Sequence, residues 1–127
     1  MRYRKATMSD ADNLLKWKNQ ADTRKYAIKT HKKISKKDHL KWLEKNLLGN
    51  WIIHSDFGTV RLVDNEIAIR VAVVAQGMGV GREAINHFKK RGMTAKIVVG
   101  NVASLRLFIN CGFKPIKYEK GYYIFQY

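Results

Sequence analysis

Six consecutive residues, Gln76-Gly77-Met78-Gly79-Val80-Gly81, carry the densest chemical signal in this chain. Glycine alternates with other residues just after a β-branched run and just before a helical pattern. A strand that turns through such glycines into a helix presents the helix's first N–H groups, which have no intrahelical partner. The helix dipole adds roughly half a positive charge at that end. Missing Cβ atoms let a bulky anion approach. The chemistry expected is binding of a phosphate or pyrophosphate across Gly77, Met78, Gly79, Val80 and Gly81, with Arg82 adding a side-chain contact. A plain strand–helix connection that needs positive φ is the competing account. Spacing sets two nucleotide loops aside. A Walker A loop ends in Gly-Lys-Ser/Thr, whereas Gly81 is followed by Arg82-Glu83. A dinucleotide fingerprint needs Gly-x-Gly-x-x-Gly and an acidic residue after the next strand, where this chain has Gly100-Asn101.

The elements that must position this turn follow from the periodicities. Arg2–Thr7 reads as a strand, and Ser9 with Asp10 and Asp12 opens a helix to about Gln20. The basic stretch Arg24–Lys33 reads as a loop or short helix. Ser35 with Asp38 opens a second helix through Leu40, Trp42, Leu43 and Leu47, stopped by Gly49-Asn50. Trp51–His54, Phe57–Val63 and Glu66–Val74 are strands separated by turns at Ser55-Asp56 and Asp64-Asn65. Beyond the glycine turn come a helix Val80–Arg91, a strand Lys96–Val99, a helix Val102–Asn110 capped near Asn101, and a strand pair Lys114–Glu119 and Tyr122–Tyr127. The order β-α-α-β-β-β-turn-α-β-α-β-β gives an α+β layer fold around one mixed sheet.

On these residues the chain resembles the GNAT superfamily of N-acetyltransferases. Gln76, Gly79 and Gly81 match its Gln/Arg-x-x-Gly-x-Gly/Ala signature, and Asn101, Ser104, Phe108, Gly112 and Phe113 fill a second one at a fitting distance. The likeness covers roughly residues 51–127. Trp17-Lys18-Asn19, Arg24 and His39-Leu40-Lys41-Trp42 resemble the pattern of one branch, which includes N-acetyltransferases of nucleotide-linked amino sugars and neighbours those of ribosomal-protein N-termini. The resemblance implies a three-layer α/β/α fold in one domain, 1–127, whose mostly antiparallel sheet splays near the cofactor. It implies acceptor-side helices in 1–50 and a cofactor-binding core in 51–127. Acetyl-CoA is the implied acetyl donor, with its pantetheine arm along the backbone of Ile69, Val71 and Val73 and its phosphates on residues 76–82. Asn101, Ser104 and Phe108 would complete that half. Trp17, Asn19, Arg24 and Trp42 would meet a small amine, with a nucleotide-linked amino sugar the favoured acceptor.

Acetyl transfer to an amine requires a base, a donor to the oxyanion and a proton for the leaving thiolate. The superfamily's usual acid is a Tyr where this chain has Phe108, so Tyr118 is the expected substitute, with Tyr122, Tyr123 or water as alternatives. Glu66 and His54 are the candidate bases, a water chain the third option. A backbone N–H near Val71 would serve the oxyanion.

Bulk composition bounds the rest. The 127 residues carry 25 Lys/Arg against 10 Asp/Glu, a formal charge of +15, which favours anionic partners. The first fifty residues are the more basic part, with 14 Lys/Arg against 5 Asp/Glu. A single cysteine, Cys111, and four scattered histidines offer no metal-ligand spacing, so no metal is expected. A lone thiol and the lack of a signal-peptide pattern point to the cytoplasm. The longest apolar run, Ile67–Ala75, is interrupted by Arg70 and is too short for a membrane span. No RNP sequence or Lys-rich arm points to nucleic acid. The tight turns leave few residues for an acceptor lid, so a homodimer is expected to complete the site. A protein or peptide acetyltransferase, a non-catalytic CoA-binding domain and a basic nucleic-acid module are the alternatives.

Overall fold

A computed structural model describes residues 2–28 and 32–127. Among the described residues seven strands form one sheet: β1 (Tyr3–Lys5), β2 (Asn50–Ile53), β3 (Gly58–Val63), β4 (Glu66–Val71), β5 (Thr94–Val98), β6 (Lys114–Glu119) and β7 (Tyr122–Gln126), in spatial order β1-β2-β3-β4-β5-β7-β6. Every neighbouring pair is antiparallel except β4–β5, which is parallel. Helices α1 (Ala11–Lys18), α2 (Ala21–Lys25) and α3 (Lys36–Asn46) precede the main sheet; α4 (Val80–Phe88) and α5 (Val102–Asn110) follow β4 and β5.

Alternation along the strands sorts the sheet's two faces. Ile53, Val60, Ile67 and Ile97 point to the α4/α5 layer, where they meet Ile85 and Phe113. Ile52 and Ala72 point the other way and pack with Leu14, Trp17 and Leu43 of α1 and α3. The result is the three-layer arrangement expected from the sequence. The β3–β4 hairpin closes through Asp64-Asn65, both at positive φ (52° and 61°), which suits the right-handed twist of its strands. Ser35 caps α3 by accepting from the N–H of Asp38 at 3.2 Å, and Asn101 caps α5. On the α1 side, Asp10 takes both guanidinium nitrogens of Arg4, at 2.9 and 2.7 Å, and the N–H of Thr7 at 2.8 Å.

Among the boundaries that differ from the sequence expectation, three have a visible cause. β4 ends at Val71 rather than Val74, because β3 starts only at Gly58 and offers no ladder beyond it. Val73–Ala75 instead forms a 3-10 turn with Val73 and Val74 exposed. α4 stops at Phe88 rather than Arg91, where Lys89 turns extended and its ammonium reaches the Cys111 carbonyl at 3.0 Å. β5 begins at Thr94, not Lys96, because the Thr94 N–H bonds the Asn65 carbonyl at 2.9 Å. Of the basic stretch Arg24–Lys33, positions 29–31 lie outside the described residues. The part before them is the end of α2 and the turn that follows it.

Candidate active site

The parallel strands β4 and β5 pair at a single position, Glu66 with Thr94, and part beyond it. In the two-residue β3–β4 hairpin, Glu66, Ala68 and Arg70 direct their backbone groups to β3. Those of Ile69 and Val71 therefore face the widening gap. Both strands run into helices, so α4 and α5 begin at the mouth of that gap. Carboxyl ends of parallel strands flanked by helix N-termini are where open α/β sheets receive ligands.

At the mouth, Gly77 and Gly79 adopt left-handed φ of 82° and 77°, and a Cβ on either would meet nothing within 4 Å. Gly79 is the N-cap of α4, with no side chain to cap it. The first helical bond runs from the Glu83 N–H to the Gly79 carbonyl. The N–H groups of Val80, Gly81 and Arg82 thus precede the helical ladder and lie at its positive end. Met78 and the Arg82 side chain are exposed beside them. Gly81 has a different reason to be glycine. Its absent Cβ faces the core, 3.0 Å from Leu107 and 3.7 Å from Val71, so it sets the close approach of α4 to α5 and β4.

Gln76 fixes the turn from below, bonding Asp22 at 2.9 Å and the Val71 carbonyl at 3.3 Å. Gln20 joins it there: its amide donates to the Val71 carbonyl at 3.2 Å and accepts from the Val73 N–H at 3.0 Å. A side-chain amide so placed mimics one bridge of an added strand. Sequence reasoning missed Gln20 and Asp22, since their partners are more than fifty residues away and no local pattern announces them. On the other lip, Asn101 accepts from the Ser104 N–H at 3.3 Å through its carbonyl oxygen, leaving its NH₂ directed elsewhere. Phe108 is 4% exposed and sits edge-on to Phe113 at 5.1 Å, so its ring is core rather than wall.

The three candidate proton-transfer residues are not brought together. Glu66 starts β4, roughly 16 Å along the strand from Val71, and pairs with Lys96 at 3.5 Å. His54 is exposed after β2, two strands from the gap on one side. Tyr118 is exposed on β6, two strands away on the other, 5.3 Å from the Tyr123 ring.

On the α1/α3 face, Trp17 is buried at 2% in the core. Asn19 clamps the chain before α3, giving to the Ile34 carbonyl at 3.0 Å and taking its N–H at 2.8 Å. Arg24 donates to the Asn19 carbonyl at 3.0 Å. Trp42 is half-buried, with the Lys18 ammonium 3.7 Å and the Arg61 guanidinium 5.2 Å from its ring centre. Burial, then Arg70 and Arg61, bring Lys18 down to about 8. Arg70 is likewise lowered, by burial first and by Arg61 second. Sequence reasoning did not single out Lys18, Arg61 or Arg70 as a group. The signal present was Arg70 interrupting an otherwise apolar strand. Among the described residues no cluster of His, Cys, Asp or Glu is arranged to hold a metal ion, and no helix is long and apolar enough to cross a membrane.

No family model and no curated protein matches the sequence. Solved structures do match the fold. Spermidine N-acetyltransferase from Vibrio cholerae, in complex with CoA and spermine, superposes with a TM-score of 0.77 at 15% identity, covering 98% of this chain and 92% of that one. A GNAT-family acetyltransferase from Bacillus anthracis gives 0.74 at 16%, covering 97% and 90%. Ribosomal-protein-alanine N-acetyltransferase from Brucella melitensis gives 0.70 at 23%, covering 98% and 96%. The fold is therefore GNAT-like over nearly the whole chain.

Proposed function

We propose that this chain is an acetyl-CoA-dependent N-acetyltransferase acting on a primary amine. The observation that carries the proposal is the gap between β4 and β5, with an uncapped helix N-terminus at its mouth, in a fold shared with a CoA-bound acetyltransferase. In this reading, residues 51–127 hold the donor and residues 1–50 contribute the acceptor side. The first N–H groups of α4 and the Arg82 side chain take the pyrophosphate, and the backbone of Ile69 and Val71 takes the pantetheine amides. Gln76, Asn101 and Ser104 shape the mouth. Gln20 would yield its place on Val71 and Val73 or stay as the end-stop of the arm.

Transfer forms an N–C bond and breaks the thioester C–S bond. The amine proton passes to a base and the leaving thiolate takes a proton. Glu66 is the favoured final proton acceptor, reached from the Val71 end by a chain of waters, because it alone of the three candidates lies on a strand that lines the gap. His54 and Tyr118 each lie two strands from it. The acceptor favoured here is a nucleotide-linked amino sugar, seated toward Trp42 and Arg24, with a second copy of the chain closing its open side. A peptide N-terminus is the alternative, and one solved relative in fold acts on ribosomal-protein alanine. A polyamine fits poorly, because a chain of formal charge +15 repels it.

The test is free-thiol release from acetyl-CoA with three acceptors: a nucleotide-linked amino sugar, an alanyl peptide and spermidine. Turnover fastest with the first is the expected result. Turnover only with the peptide replaces the acceptor, and none with any amine at saturating acetyl-CoA overturns the enzymatic proposal.

A further inference from the structure

Arg61 and Arg70 occupy adjacent strands on the α1/α3 face. Arg70 pairs with Thr59 and Arg61 with Ala68, which makes the two arginines diagonal neighbours, a spacing of about 7–8 Å that long side chains bridge. Lys18 comes from the last turn of α1, which lies over β3 and β4. All three are half-buried. Lys18 and Arg61 both lie within about 6 Å of the Trp42 ring centre, at 3.7 and 5.2 Å, and the ring's quadrupole offsets part of their charge. The Arg61 Nε is buried without a partner, and an Arg61 terminal nitrogen reaches Asn46 only at 3.4 Å.

Among the described residues no carboxylate forms an ion pair with any of the three. All ten acidic residues lie within the described chain. The carboxylates in described ion pairs serve Arg4, Lys36, Lys96 and Lys117. Glu83 belongs to α4, on the opposite face of the sheet. Half-buried cations are ordinarily paired. Three that converge without a carboxylate among the described residues, one of them lowered to about 8 by burial and then by the other two, form a site short of one anion.

We propose that Lys18 and Arg61 at the Trp42 ring, with Arg70 beside Arg61 on the next strand, form an anion subsite for a phosphoryl group carried by the amine acceptor. Guanidinium forks match phosphate oxygens two at a time, and the lysine supplies a point charge. Arg70 immediately precedes Val71, whose backbone faces the gap, so a phosphoryl group held here anchors the acceptor one residue from the lip where the acetyl group would lie. The word acceptor rests on the acetyltransferase proposal; the subsite itself does not.

Inorganic pyrophosphate is the probe, followed by calorimetry on the full chain without acetyl-CoA. Arg70→Gln and Arg61→Gln are each expected to weaken binding about tenfold or more, the scale of one lost charge-assisted contact. Arg70→Lys is expected to restore part of it. Lys41→Gln, which removes the same charge from the exposed side of α3, is expected to change it less than twofold. Circular dichroism melts confirm folding; Arg70→Gln is expected to melt no lower than the parent, since it relieves repulsion. Equal affinity in the parent, Arg70→Gln and Arg61→Gln overturns the subsite, as does a loss in Lys41→Gln as large as theirs. Acetyl-CoA titrated into the same proteins separates the two proposals. Arg70-dependent pyrophosphate binding without acetyl-CoA binding upholds the subsite and overturns the acetyltransferase function.

Discussion

On the α4/α5 side of the gap, the groups offered to a ligand are backbone atoms: the first N–H groups of α4 and the strand edge at Ile69 and Val71. On the α1/α3 side they are side-chain cations, drawn from α1, β3 and β4 and backed by a tryptophan of α3. A backbone site depends on chain geometry, so it tolerates change in side chains but not in its glycines. A side-chain site depends on convergence of distant residues and is altered one charge at a time. Substitutions on the first side should therefore disturb fold and donor binding together. Those on the second should alter anion affinity while leaving the fold intact or firmer.

The largest effect is expected at Gly81. Gly81→Val drives new carbon into Leu107, whose nearest atom would lie 3.0 Å from a Cβ. Overpacking of this kind costs about 2–3 kcal/mol, read as a lower urea midpoint. An unchanged midpoint would mean that α4 and α5 are not held as close as described.

Asp10→Asn comes next, at about 2 kcal/mol near neutral pH, because the buried carboxylate loses its charged bonds to Arg4. Arg4 bonding holds the Asp10 carboxyl below the usual carboxylate range, against the opposing effect of burial. The folded form thus binds its proton less readily than the unfolded one. The stabilisation is full above the ordinary carboxylate range and is lost as pH falls through the folded value. The difference between parent and Asp10→Asn should shrink in acid; a pH-independent gap would remove the charge from the explanation.

Lys18→Met should go the other way and stabilise the chain by about 1 kcal/mol at neutral pH. Lys18 titrates near 8 in the fold against an ordinary 10.5, so its protonated form weighs against folding below 8. That penalty is relieved as pH rises from 8 toward 10.5, and the advantage of the methionine should fade there. A destabilised Lys18→Met would show that the contact with Trp42 outweighs the repulsion. Gln20→Leu is smaller, about 1 kcal/mol, through two partly exposed bonds at the end of β4. Glu66→Gln is smallest in stability, under about 0.5 kcal/mol, because its pair with Lys96 is solvent-exposed. A fall in kcat/KM there without loss of stability would support Glu66 as the base.

The same division explains what the sequence made legible. The glycine turn, the Asn101 cap and the alternating strands are local patterns, and each appears where periodicity and capping rules put it. The end of β4 is not legible locally, because it depends on where β3 begins, which Val73 and Val74 do not encode. Gln20 on Val71 and Lys18 beside Arg61 and Arg70 are products of tertiary placement. Only the odd arginine in an apolar strand hinted at them. The motif makes Phe108 a cofactor contact, whereas its packing against Phe113 turns the ring into the core.

The central claim is that the glycine turn and the gap beside it receive acetyl-CoA. Calorimetric titration of acetyl-CoA into the parent and into Gly79→Val tests it most directly. Gly79 needs φ of 77°, which a β-branched residue adopts only under strain, at the N-cap of α4. The account predicts saturable binding of one acetyl-CoA per chain, weakened about tenfold or more in a Gly79→Val protein that circular dichroism shows to be folded. No binding to the parent, or equal binding to both, would contradict it.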